Sequence, residues 1–136
     1  MGADPPDDGS ETVGEIFDVL SRPERRLLLY YLRDREAASV EELATAVAGW
    51  LQARRDPTEV VTPSERERVR ASLHHVDLPR LEAAELVRRD RESGEVALDE
   101  PPQVFEDILS QALAQERLVA ERTAGETADE TDPENR

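Results

Sequence analysis

His74 and His75 are the only imidazoles in the chain, and all 17 of its other basic residues are arginines. Neighbouring side chains on a helix point about 100° apart, so these two rings are poorly placed to chelate one metal ion. Serine, histidine and aspartate are all present, yet there is no Gly-x-Ser-x-Gly elbow, no glycine-rich phosphate loop and no His-Glu-x-x-His helix. Nothing therefore spells out a hydrolytic or phosphoryl-transfer centre. Without a single cysteine, disulfides, thiolate zinc and thiol catalysis are excluded together. The sequence predicts no enzyme, no cofactor and no metal. The chemistry that remains is recognition, because a planar guanidinium can grip a phosphate or read a guanine edge with two hydrogen bonds.

Two groups of residues have the types and spacing for it. In the segment that starts at Thr62, Val69, Leu73 and Val76 form an apolar stripe, and a helical wheel places Ser64, Glu67, Arg68, Ala71, His74 and His75 opposite it. Arg68 suits a guanine edge, Ser64 a phosphate or base, and the histidines base acceptors, whereas Glu67 repels phosphate unless it accepts from cytosine. The second group is Arg88, Arg89 and Arg91, beside a tight turn. Such a cluster can touch a groove or the sugar-phosphate backbone, or can guard an edge strand against pairing. Arg54 and Arg55 can likewise contact phosphate or simply satisfy a helix C-terminus.

Charge bears on both groups. The chain of 136 residues carries 32 acidic side chains and a net charge of −15. Heavy acidity without lysine suits a cytoplasm holding molar salt, where the Debye length is about 3 Å and self-repulsion costs little. The acid is also unevenly placed: residues 22–91 carry 14 arginines against 13 carboxylates, while residues 1–21 carry −6 and residues 92–136 carry −10. A nearly neutral, arginine-bearing centre can approach a phosphate backbone that the whole-chain charge would repel.

The elements that must position these residues follow from periodicity and punctuation. Val13, Ile16, Phe17 and Leu20 share one face of a first helix, about Thr12 to Leu20. Ser21-Arg22-Pro23-Glu24 reads as the start of a second, running to about Arg35 and burying Leu27, Leu28, Tyr31 and Leu32. Ser39 caps a third, with Leu43, Val47, Trp50 and Leu51 on one face up to Arg54. A loop over 54–61 precedes a fourth start at Thr62-Pro63-Ser64-Glu65, and Pro79 predicts a kink or break before Leu81 to Ala84. Leu86 to Asp90 and Glu95 to Leu98 flank a Gly94 turn and read as a hairpin. Phe105, Ile108, Leu109, Ala112 and Leu113 then mark a last amphipathic helix, a candidate dimerisation surface or a cap on its own domain.

The pieces SRPERRLLLYYL, SVEELATAVAGW and TPSERERVRASLHHVDLPRLEAAELV together resemble a haloarchaeal domain family of unknown function classed with winged-helix proteins. Leu73 to Val87 is similar to the recognition-helix and wing-entry region of arsenical-repressor-like archaeal regulators, which often have glycine where this chain has Glu85. The resemblance, covering about residues 12–98, implies a mainly α fold with a small β-hairpin: a winged helix-turn-helix with an extra C-terminal helix. The expected organisation is a disordered acidic N-terminus over 1–10, the winged domain over 11–100, the C-terminal amphipathic helix over 103–122 and a disordered acidic tail over 123–136. With no long apolar run and an acidic N-terminus unlike a secretory signal, a cytoplasmic protein is expected. Its implied role is that of a regulator binding double-stranded DNA as a homodimer. The site residues would be Ser64, Arg68, Ala71, His74 and His75 in the major groove, with Arg88, Arg89 and Arg91 on the flanking groove. A winged-helix module that binds protein without DNA is the alternative, for which Glu67 and the acidic balance speak.

Overall fold

The computed structural model describes residues 9–131. Five of the six α-helices and both strands lie in a first unit ending at Pro102, and the sixth helix forms a second unit. In the first unit, α1 (Ser10–Val19), α2 (Pro23–Arg33) and α3 (Val40–Arg55) come in order, followed by α4 (Pro63–Ser72), a π-helical turn (Leu73–Asp77) and α5 (Leu78–Ala83). Strands β1 (Val87–Arg89) and β2 (Val96–Leu98) close it, paired antiparallel with Arg88 opposite Ala97. A further bridge joins Ala38, just before α3, to Val96, with the Ala38 N–H donating to Val96 O at 2.9 Å and the Val96 N–H to Ala38 O at 2.8 Å. The chain is therefore mainly helical with a small antiparallel hairpin, the fold class expected from its sequence, and the element order fits a winged helix-turn-helix layout.

The core of this unit is built from Leu28, Leu29 and Leu32 of α2, Leu43 and Val47 of α3, and Leu73, Leu78 and Leu81 of the following helical run, all essentially without exposed surface. Where faces differ from expectation, a neighbour has taken the inward position. Phe17 is 59% exposed while Ile16 and Val19 are buried, so the inward stripe of α1 runs one step round from the one its apolar residues suggest. Tyr30, not Tyr31, is buried on α2. Tyr31 instead lies beneath the Arg35 guanidinium, 3.7 Å from its ring centroid, and its hydroxyl donates a hydrogen bond to Glu42 Oε2 at 2.6 Å. The α2 N-cap is Arg22, and the expected cap Ser21 instead donates its hydroxyl to Asp18 O at 2.7 Å.

Pro79 is accommodated rather than disruptive. Lacking an N–H, it leaves the carbonyl of residue 75 without its usual donor, and the helix widens just ahead of it, with the Leu78 N–H donating to Leu73 O one residue further back than an α-helix would. The extra residue rotates the inward face: Val76 turns out, 47% exposed, and Asp77 and Leu78 turn in.

The second unit is the single helix α6 (Gln103–Thr131). It runs past Arg122, where the loss of large apolar residues predicts a disordered tail, to Thr131. An established helix gains one hydrogen bond for each residue added, which lets it continue through a tract of mixed propensity such as residues 123–131, with three threonines, a glycine, two alanines and two glutamates. Likewise Ser10, expected to be disordered, is the first residue of α1. The expectations for residues 1–8 and 132–136 lie outside the described residues.

Candidate nucleic-acid interface

The sequence places a full set of stop-and-start signals at the head of α4, and they form. Thr62 Oγ1 accepts from the Glu65 N–H at 3.1 Å, and Glu65 Oε1 accepts from the Thr62 N–H at 2.9 Å. Two donors that a helix start leaves unpaired are thus satisfied, with Pro63 preset in the first turn. The Thr62 backbone and side-chain hydrogen bonds hold the Glu65 carboxyl below the ordinary glutamate range.

No residue of α4 is buried. The helix is instead strapped to α3 by polar bonds: Arg66 donates to Thr45 Oγ1 at 2.9 Å and to Glu41 Oε1 at 2.9 Å, and Arg70 donates to the other oxygen of the same carboxylate. The Arg70 and Arg66 hydrogen bonds lower the Glu41 pKa. Arg70 also pairs with Glu67 at 3.5 Å, which offsets part of the negative charge on the outer face. Of the face expected to be outward, Ser64, Glu67, Arg68, His74 and His75 are exposed and Ala71 is half-buried. Arg68 makes no hydrogen bond or ion pair among the described residues.

The hairpin turn is organised by Asp90. Its carboxylate accepts from the N–H groups of Glu92 at 2.7 Å and Ser93 at 3.0 Å, which lowers its pKa, and Gly94 at φ 77° supplies the left-handed residue of the turn. The three wing arginines, alike in sequence, are used differently. Arg88 folds back on its own hairpin, donating to Leu98 O at 3.0 Å with Asp99 at 3.4 Å. Arg89 turns towards the helix, pairing with Glu82 at 3.5 Å and donating to His74 Nδ1 at 3.3 Å. Its Nε is buried and without a partner among the described residues. Arg91 is exposed at the turn and makes no hydrogen bond or ion pair among the described residues. Of the eight residues expected to contact DNA, then, His74 and Arg89 are joined to each other and Arg88 is held within the hairpin, while Arg68 and Arg91 keep uncommitted guanidinium groups.

Beneath this surface lies a group that sequence reasoning missed. Arg25 and Asp77 form a buried ion pair at 3.4 Å. Arg25 also donates through Nε to Val19 O at 2.7 Å, and Ser72 Oγ lies 3.3 Å from the Asp77 carboxylate. Burial, with the charge of Glu24 adding to it, pushes the Asp77 carboxyl above the ordinary range. The partners are 52 residues apart, and no local pattern announces such a pairing.

On α6, Phe105 and Leu109 are buried and Ile108, Ala112 and Leu113 half-buried, whereas Leu118 and Val119 are more than half exposed. Among the described residues no group of three or more His, Asp or Glu is placed to hold a metal ion, and no helix is long and apolar enough to cross a membrane.

A helical domain with a short antiparallel hairpin, whose Arg89 meets His74 in the π-turn after α4, is compatible with a winged helix-turn-helix layout. The chain belongs to the family described as a domain of unknown function, DUF7344, which matches residues 17–97 and so spans α2 to the end of the hairpin. No curated protein matches the chain, and no solved structure does.

Proposed function

We propose that this protein is a DNA-binding transcriptional regulator of a cell rich in salt, with the outer face of α4 in the major groove and the hairpin on the flanking groove. The observation that carries the reading is that α4 contributes no buried residue, though it is fully capped and cross-linked to α3. A helix that adds so little to the core is free to present its side chains to a partner, and a groove of B-DNA admits a helix. Arg68 on that helix and Arg91 at the turn are the groups with hydrogen-bonding capacity to spare. Ser64 and His75 complete the reading face, and the Arg89–His74 contact ties the hairpin to the π-turn that follows α4. The resemblance to arsenical-repressor-like regulators, and a homodimer, belong to the same reading. No catalysis is part of it.

A second reading, a winged-helix module that binds protein, is favoured by the ion pairs that already occupy Arg66, Arg70 and Arg88 and by Trp50, 39% exposed against Tyr31. Selection from a pool of random duplexes in potassium chloride, up to molar concentration, separates the two. Enrichment of one short motif is expected for the regulator, and a pool that stays random through repeated rounds would favour the protein-binding module.

A further inference from the structure

Seven residues, Asp56 to Thr62, join α3 to α4, where three or four usually suffice in a helix-turn-helix. The connection is ordered by Asp56, whose carboxylate accepts from the Thr58 N–H at 3.0 Å and from its hydroxyl at 2.6 Å. A cleft of about 270 Å³ opens beside it, walled by Ala48 and Leu51 of α3, Val61 of the connection and Val69 of α4. The charged groups on its lining are mostly answered within the protein. Glu24 pairs with Arg22 at 2.8 Å, Glu65 is held by Thr62, and Arg55 bonds Gln52 at 2.5 Å and reaches Glu65 at 3.5 Å. Arg68 also lines the cleft, where its charge helps lower the Glu65 pKa, and among the described residues it makes no hydrogen bond or ion pair. The exposed Arg68 guanidinium keeps donors to spare, and with Leu51, Val61 and Val69 beside it the cleft suits an anion attached to an apolar body.

We propose that the α3–α4 cleft binds a small monocarboxylate with a branched or cyclic hydrocarbon body, whose carboxylate takes the Arg68 guanidinium. The hydrocarbon lies against Leu51, Val61 and Val69, and the two oxygens meet the planar fork that suits them. Resting on the reading of Arg68 as a groove contact, the site also gives that contact a control: an Arg68 engaged by carboxylate is withdrawn from DNA, so the ligand lowers affinity for the preferred duplex.

The full chain is titrated with cyclohexanecarboxylate and with cyclohexanecarboxamide, of similar shape but uncharged, following amide shifts by NMR. The native chain should bind the acid at least about tenfold more tightly than the amide, as a charge-assisted pair implies. Arg68→Gln should abolish that preference while leaving the amide unaffected, and Val61→Phe should weaken both ligands by filling the cleft. Equal affinity for acid and amide in the native chain, no binding of either, or a preference that survives in Arg68→Gln would each overturn the site. A parallel titration adds the acid to a chain–duplex mixture, where release is expected. Should the acid bind through Arg68 while the chain binds no duplex at all, the DNA reading falls and the cleft stands.

Discussion

Between Pro63 and Ala83 a nearly continuous helical run changes character at Leu73. Its first ten residues, α4, bury nothing and are held by a capping box and by two arginines on one glutamate. The next eleven bury Leu73, Asp77, Leu78 and Leu81. The inward half belongs to the core and fixes the angle of the run, and the π-turn before Pro79 keeps the correct residues pointing in. The outward half adds little apolar burial, and what holds it is polar, exposed and replaceable. Residues on a surface so lightly engaged in packing can be chosen for what they contact outside the domain.

Truncation is the sharpest way to break this contrast. Leu78→Ala, at a fully buried position, should cost about 2–5 kcal/mol, whereas Val69→Ala on half-buried α4 should cost about 1 kcal/mol or less. Urea unfolding followed by Trp50 fluorescence measures both. Equal losses would mean that α4 is as much a part of the core as the segment after it.

Acid should act with opposite sign on the carboxylates that hold α4 and on the buried carboxyl of the inward half. Glu41 and Glu65 have lowered pKa values in the folded chain, so their contribution is present above the ordinary carboxylate range and is lost as pH falls through the lowered values. Asp77, raised by burial and by Glu24, binds its proton more tightly folded than unfolded, so its contribution improves as pH falls through its raised value. Glu41→Gln should therefore flatten the loss of stability between about pH 5 and pH 3, and Asp77→Asn should steepen it. Parallel profiles for the two variants would contradict the assignment.

A smaller effect is expected just past the inward half. Glu85 sits at φ 62°, a left-handed conformation that costs a side-chain-bearing residue about 1–2 kcal/mol, partly offset in any comparison with glycine by the freedom glycine has when unfolded. Glu85→Gly should thus raise stability by about 0.5–1 kcal/mol, read as a higher urea midpoint, and a lower midpoint would show that the Glu85 side chain contributes more than the strain removes.

What the sequence disclosed and what it hid divide along the same line. The capping residues Ser39, Thr62 and Glu65 act within three residues of their partners, so their roles were legible, as were the hairpin turn at Gly94 and the outward face of α4. Features that depend on distant partners were not. Nothing near Ala38 announces its bridge to Val96, and nothing near Arg25 announces Asp77. Tyr30 and Tyr31 are chemically alike, and nothing in the sequence around them says which one the fold buries. Pro79 was legible as a disturbance, but the π-turn that absorbs it, and so the exchange of Val76 for Asp77 on the inward face, follows from the packing of Leu78 and Leu81. In the candidate site, three neighbouring arginines read alike until their partners separate them: Asp99 for Arg88, His74 and Glu82 for Arg89, and an uncommitted guanidinium for Arg91.

If the outer face of α4 reads DNA, specific binding turns on Arg68. Fluorescence anisotropy would compare the native chain with Arg68→Ala on the selected duplex and on a scrambled duplex of the same length and salt. Arg68→Ala should weaken binding to the selected duplex by about 1–3 kcal/mol and leave the scrambled one nearly unchanged. Equal affinity of the two proteins for the selected duplex would contradict it.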